Sequence, residues 1–422
     1  MTDQTAQQPD VQSESSNLNW EVPKLTLHNF DDIADKVHKL EDLRMDPEKV
    51  NPRGRGLVQG VNDDLSYDVV DLKALRFNSM GSVFVPGFGN LEMTPHAMKQ
   101  LGSELGVRWP KFFGHMMPDQ IQQAVTNHLR TRTNPTLKRI IARKHGADSI
   151  LSELNPHTRK IKSPLVEEKI STDGVLRGFV GPNYSEIRDA RMFDRIHEVA
   201  EPGQLDDMGF ALFSFRDNGS HFMLVQREPV DLLTAQPMGG RISEGGRFGR
   251  FMSASVGAGA ANGAFFGIRI RNSEVGSYAL SANPYFVRFV CVNGVIVAIK
   301  EEPLLYRQHR GVSDRELDRI IERMYKVLPE RQKEIIDNNR KLHAITIENP
   351  EEEINNFLST QSKMFRENAI KAYNEEPVPT AYGIMQALAR VAMASRRDMD
   401  RQLDIETLAG NYMRKTLSRH SS

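Results

Sequence analysis

Two turn signals, each set between runs of apolar and β-branched residues, constrain this chain more than any other feature of it. Asp217-Asn218-Gly219 separates Phe210–Phe215 from His221–Arg227, and Asn293-Gly294 separates Tyr285–Val292 from Val295–Lys300. Asn-Gly steps accept the positive-φ backbone that a tight hairpin turn demands, so each signal predicts a pair of antiparallel strands. Between them Phe265–Arg271 alternates apolar and basic side chains, and upstream Gly174–Gly181 (GVLRGFVG) reads as a further strand element. Residues 161–312 are therefore expected to form a β-rich core with antiparallel hairpins.

The flanks carry helical signals. Asn29 is placed to cap a helix bearing Phe30, Ile33, Ala34 and Val37. Thr94 followed by Pro95 opens a second helix, because Thr supplies the N-cap oxygen and Pro at the first position forfeits no hydrogen bond. Gly106 stops it, and Pro118 starts another through about Leu129. Val83–Phe88 reads as a strand end and turn, which makes residues 20–160 a mixed α/β region. Glu186–Val199 carries apolar residues at helical spacing. After Ser313 the pattern is helical, and Pro329, Pro350 and the Pro377/Pro379 pair are expected to divide residues 313–422 into four helices. The fold class expected is α+β.

Composition then limits the chemistry. With 422 residues, two or three domains are expected. Lys+Arg and Asp+Glu both number 55, so any polyanion site must be a local patch. The single cysteine, Cys291, excludes a disulfide framework and fits a reducing, cytoplasmic compartment. It lies in an apolar strand and reads as a buried, inert thiol. No apolar run is long enough to span a bilayer. Residues 1–19 are polar and acidic, lack the apolar stretch of a signal peptide, and read as a disordered tail. No phosphate loop and no nucleophile elbow is present, and Gly257-Ala258-Gly259 lacks the third glycine of a dinucleotide fingerprint. His96, His115, His221 and His309 have no metal-ligand spacing. Neither a metal nor a nucleotide cofactor is expected, and no catalytic residue is assigned.

Two stretches are candidates for holding phosphate. From Asn127 to Lys144 the chain carries Arg130, Arg132, Lys138, Arg139, Arg143 and Lys144 with no acidic residue among them. Such density attracts a nucleic-acid backbone, and it also suits a solvated helix face and loop. From Arg241 to Arg271 come Arg247, Arg250, Arg269 and Arg271, interleaved with Phe248, Phe251, Phe265 and Phe266 among nine glycines from Gly239 to Gly267. Arginine forks phosphate, phenylalanine offers a stacking face, and glycine lets a backbone approach, a combination suited to single-stranded nucleic acid. A flexible loop whose phenylalanines pack inward has the same composition. Arg269 and Arg271 share one strand face by the period of two, leaving Ile268 and Ile270 to pack a core on the other.

A motif block follows directly. Asn272-Ser273-Glu274-Val275-Gly276, then an apolar strand, then Arg288, Cys291, Asn293 and Gly294, then His309 and Gly311, resembles a widespread family of phage and plasmid proteins whose domain has no assigned function. Leu91–Ala97 with Trp109–Phe113, and Phe179–Tyr184, resemble that family's upstream blocks, so the likeness covers about residues 90–311. More distantly the chain resembles single-strand annealing proteins of the RecT and Redβ type. The resemblance implies a mobile-element origin in a host cytoplasm. Joined to the acid-poor patches, it leads to the expectation of a single-stranded DNA binding or annealing protein of a recombination module. Such a protein needs no ATP, assembles as a homo-oligomer, and works beside a phage exonuclease or single-strand binding protein. Two other readings stay open: a nucleic-acid-processing enzyme in which Glu274 and His309 meet, and an oligomeric structural or interaction protein built on the helical tail.

Overall fold

The computed structural model describes residues 28–45, 69–78, 82–106, 118–129, 136–155, 172–200, 205–241, 263–288, 295–297, 305–307, 314–394 and 399–420. Its architecture is α+β: a mixed N-terminal region, a β-rich centre and a helical C-terminal region.

The first sheet contains β1 (Val69–Asp71), β2 (Arg76–Phe77), β3 (Val83–Val85), β4 (Gly89–Met93), β5 (Leu137–Arg143) and β6 (Gly174–Val180), in the order β1-β5-β6-β4-β3-β2. Every pair is antiparallel except β4 with β6, which is parallel. Thr94 caps helix α2 (Pro95–Glu104) as its sequence predicts, its hydroxyl accepting from the Ala97 amide at 3.1 Å. Gly106 follows that helix at φ +69°. Leu101 from α2, with Val125 and Leu129 from and after α3 (Pro118–His128), packs on Leu91, Ile140 and Leu176 of the sheet. Strand β6 lies in the middle of this sheet, so the N-terminal sheet takes a central strand from beyond residue 160.

The second sheet runs β12-β11-β10-β8-β7, from β7 (Met208–Arg216), β8 (Gly219–Gln226), β10 (Gly263–Asn272), β11 (Leu280–Arg288) and β12 (Val295–Val297). Short β9 (Val230–Asp231) joins β10, and β13 (Leu305–Arg307) joins β11. The Asp217-Asn218 turn closes β7 on β8 with Arg216 opposite Gly219. Asn293-Gly294 lies outside the described residues, and the strands flanking it pair as expected, Phe286 opposite Val297. One face of the sheet is aromatic and aliphatic, with Phe210, Phe222, Leu224, Ile268 and Ile270. It is covered by α1 (Phe30–Glu41, capped by Asn29), by α5 (Asp189–Val199), and by the start of α6 (Asp314–Ala344). Phe193 stacks on Phe210 at 5.6 Å in that layer. Among the described residues no helix is long and apolar enough to cross a membrane.

Pro329 does not divide the helical region. It sits inside α6, which continues for 31 residues. A proline in a helix interior costs about 3 kcal/mol. Against this, Leu317, Ile321 and Tyr325 before it are buried in the sheet core, while Ile335, Ile336 and Leu342 after it are buried in the C-terminal core. Each such side chain contributes about 1.5–3 kcal/mol, so packing outweighs the proline. The C-terminal core is completed by α7 (Pro350–Phe357), α8 (Lys363–Glu375), α9 (Ala381–Ala394) and α10 (Met399–His420). Pro350 starts α7, and Pro377 and Pro379 fall between α8 and α9. The helical region thus has five helices among the described residues, one more than expected.

Candidate functional site

Strand β6 is apolar but for Arg177, and a cation there must find its counter-charge inside the protein. It finds two. Arg177 Nη1 donates to Glu274 Oε2 at 2.5 Å, and Nε lies 4.0 Å from Asp217 Oδ1. Arg143, at the end of β5, donates from Nε to the same Asp217 oxygen at 3.0 Å, and Nη2 lies 3.5 Å from Asp148. Asp217 comes from the β7–β8 turn, so the hairpin signal also delivers a carboxylate to the meeting line of the two sheets.

The Asn272–Gly276 block forms the turn between β10 and β11 and locks the sheets together. Val275 inserts between Ile141 of β5 and Val180 of β6. The Gln100 amide donates to the Val275 carbonyl at 2.9 Å and accepts from the Phe179 amide at 2.8 Å. The Ser273 hydroxyl donates to the Asn218 carbonyl at 2.7 Å, and Tyr184 donates to the Ser273 carbonyl at 2.6 Å. Gly276 has φ +75°, a conformation that favours glycine. Asn272, Ser273 and Glu274 are all buried.

Glu274 in turn fixes the start of α5. Its Oε1 accepts from the backbone amide of Asp189, the first residue of that helix, at 2.9 Å. Asp189 Oδ1 accepts from the Ser220 hydroxyl at 2.6 Å and from the Asn272 amide at 2.8 Å. Above them, past the end of α1, Arg44 makes a two-pronged pair with Glu186, one prong at 2.5 Å, and Glu41 pairs with Arg188 at 2.9 Å. Burial pushes the Asp189 carboxyl up to about 7, assisted by the negative charge of Glu274. Burial also acts to raise Glu274, but Arg177, the Asp189 amide and Arg44 outweigh it and hold Glu274 below the usual carboxylate range. Burial raises Glu41, again with help from Glu274.

These groups enclose a cleft with about 530 Å³ of empty space, its open mouth included. Four arginines (Arg44, Arg143, Arg177, Arg216) and four carboxylates (Glu41, Asp189, Asp217, Glu274) line it. The apolar part of the wall is Val37, Leu40, Leu151, Ala190 and Phe215, with Leu151 on α4 (Ala147–Glu153). Arg216 is exposed at the end of β7, and its side chain has no ion pair or hydrogen bond among the described residues. Among the described residues no group of three His, Cys, Asp or Glu could hold a metal ion.

The expected site residues separate into three sets. Glu274 and Arg143 line the cleft, while Asn272, Ser273 and Gly276 belong to the turn that carries Glu274. Lys144 is exposed beside Arg143, its backbone amide bonded to the Leu43 carbonyl at 2.6 Å. Others are engaged in holding the fold: Lys138 pairs with Glu104, and Arg139 donates to the Tyr184 carbonyl at 3.0 Å. Arg271 lies over the Tyr278 ring at 4.4 Å. Arg269 is only 5% exposed and donates from Nε to His221 Nε2 at 2.5 Å. Burial, with the charges of Arg269 and Arg271, holds His221 well below its usual range, so it is a neutral acceptor. The face expected to stay open for phosphate is therefore closed at Arg269, where its neighbours Met223 and Val225 are also buried. Arg130, Arg132, Arg247, Phe248, Arg250, Phe251, Cys291, Asn293, Gly294, His309 and Gly311 lie outside the described residues. So does the side chain of Arg288, which ends β11 opposite Ala264.

Arg44, Arg177, Asp189 and Arg216 were not singled out by the sequence. A signal that could have found Arg177 is its place as the single charge in an apolar strand. No protein-family model, no curated protein and no solved structure matches the chain.

Proposed function

We propose that this chain binds single-stranded DNA, with the cleft and its mouth holding backbone phosphates, and that it serves as an ATP-independent annealing protein of a phage or plasmid recombination module. One observation carries the reading. Two stretches that stand out in the sequence on unrelated grounds, the acid-poor run ending at Arg143 and Lys144 and the Asn272–Gly276 motif, each bring one residue, Arg143 and Glu274, to the wall of one cleft. Arginine forks a phosphate through two parallel N–H bonds, and Arg216 is free at the mouth to do so. Arg143 keeps Asp217 through Nε, while its Nη2 lies 3.5 Å from Asp148, a 95% exposed carboxylate that water can solvate if a phosphate takes its place. Arg216 lines the cleft and is exposed, and Lys144 is exposed next to Arg143 in the chain, so each is accessible to a phosphate of a strand laid across the opening. Annealing requires no bond chemistry, only a held backbone with bases left accessible. Self-assembly of the chain would lengthen the rim.

Fluorescence anisotropy of a labelled oligothymidylate, titrated at rising salt, tests this. Binding should be salt-sensitive, and Arg216→Ala and Lys144→Ala should each reduce the log–log salt slope by about 0.7. The reading falls if the double variant binds with unchanged affinity and slope, or if heparin is bound as tightly as the oligonucleotide.

A further inference from the structure

Asp189 differs from every other carboxylate lining the cleft. Glu274 faces Arg177, Asp217 faces Arg143 and Arg177, and Glu41 faces Arg188. Asp189 has only neutral donors, the Ser220 hydroxyl and the Asn272 amide, and both are on Oδ1. Its Oδ2 has no hydrogen-bond partner among the described residues, and Asp189 lines the cleft. The Glu274 carboxylate sits against its backbone amide. Two carboxylates thus share one buried corner whose nearest arginine bonds to the other one.

We infer that Asp189 is a hydrogen-bond donor of the cleft, its Oδ2 carrying a proton to a phosphate oxygen of the bound strand, so that DNA binding is linked to proton uptake. The inference rests on the proposed function and names a regulation of that same site. A neutral carboxyl donates to an anionic oxygen, whereas an ionised one repels it. In the free protein the group changes state at about pH 7. An anion on Oδ2 favours the protonated form and moves that midpoint upward, as linkage requires. Affinity is then flat below pH 7 and falls by about tenfold per pH unit above it, until the bound form also loses the proton.

The charged groups facing Asp189 come from every wall: Arg177 of β6, Arg143 of β5, Glu41 and Arg44 at the end of α1, Arg216 and Asp217 at the β7–β8 turn, and Glu274. Arg44 and Arg177 are raised above the ordinary arginine value by the carboxylates beside them, against the effect of burial, and Glu274 is held below the usual carboxylate range. His96 and His221 are both held below their usual range, mainly by burial, and stay neutral above pH 7. Asp189 and Glu41 are the groups with raised carboxyls, so the test uses a variant specific to Asp189.

Anisotropy of the labelled oligothymidylate is measured from pH 6 to pH 9 at fixed ionic strength, with the full chain and with Asp189→Asn. The amide can keep an acceptor toward Ser220 and Asn272 and present an N–H to the cleft, and it does not titrate. The full chain should lose affinity about tenfold per pH unit above pH 7, and Asp189→Asn should stay within about twofold across the range. Ser220→Ala removes a bond that favours the ionised form, so its affinity should begin to fall at a higher pH than that of the full chain. Matching pH profiles for the full chain and Asp189→Asn would overturn the inference and leave the DNA reading standing. A folded protein that binds no oligonucleotide at any pH would remove both.

Discussion

Replacing Arg177 by methionine should show how much the junction between the sheets depends on one buried ion pair. The Glu274 side chain is 7% exposed and Arg177 16%, so truncation strands a carboxylate almost wholly out of water. Its remaining hydrogen bond is from the Asp189 amide at 2.9 Å. Breaking a buried pair on one side costs about 3–5 kcal/mol. The loss should depend on pH with a definite sign. In the intact protein Glu274 is held below its ordinary 4.5, so its contribution is present above that value and disappears only in acid. Without Arg177, burial raises Glu274 above 4.5, so the folded state binds the extra proton and stability falls as pH rises through that interval. The deficit should therefore be larger at pH 7 than at pH 5. Urea unfolding at both values, with the slope checked for constancy, measures it. Arg177→Met with Glu274→Gln should recover at least about 2 kcal/mol relative to Arg177→Met, since replacing both partners removes the stranded charge. A loss below about 1 kcal/mol at pH 7, or one equal at the two pH values, would refute the picture of a desolvated pair.

Two further substitutions probe the packing around it. Gly267 lies in β10 between β8 and β11, and a Cβ there would fall 2.0 Å from the Leu224 carbonyl oxygen, so Gly267→Ala should lower stability by about 1–3 kcal/mol or more, and an unchanged melting temperature would show that the strands part freely. Gln386 is 6% exposed in α9, and neither its Nε2 nor its Oε1 has a partner among the described residues, so Gln386→Met should raise the unfolding free energy in urea by about 1–3 kcal/mol, whereas a loss would mean that the amide is satisfied.

Signals that act within a few residues were legible in the sequence. The Thr94 and Asn29 caps and the β7–β8 hairpin follow from local hydrogen bonding and local dihedral preference, and each forms where its residues predict. The Asn272–Gly276 block stood out in the sequence as a motif, and in the fold it is a turn whose Ser273 hydroxyl bonds the Asn218 carbonyl and the Ser277 amide. What stayed hidden depends on contacts between distant residues. The parallel pairing of Leu91 with Gly174 joins segments 83 positions apart, and nothing local encodes it. Helix α6 runs through Pro329 because two separate cores bury its two halves.

The basic run from Lys138 to Lys144 shows why charge density along a chain is a weak guide to charge density in space. No acid lies within it, yet Lys138 meets Glu104, and Arg143 meets Asp217 and Asp148. The counter-charges come from α2, from the β7–β8 turn and from α4, all brought there by the pairing of strands. A surface cation gains little from such partners, but a strand cation facing the protein interior cannot stay unpaired, because an isolated buried charge costs several kcal/mol. The sharper sequence signal is therefore a single charge inside an apolar strand, as Arg177 is inside Gly174–Val180. That arrangement demands a buried partner, and around Arg177 the demand is met by Glu274 and Asp217. Their commitment to arginine leaves Asp189 as the cleft carboxyl with neutral donors alone, which is why the proton of this site is expected to reside there.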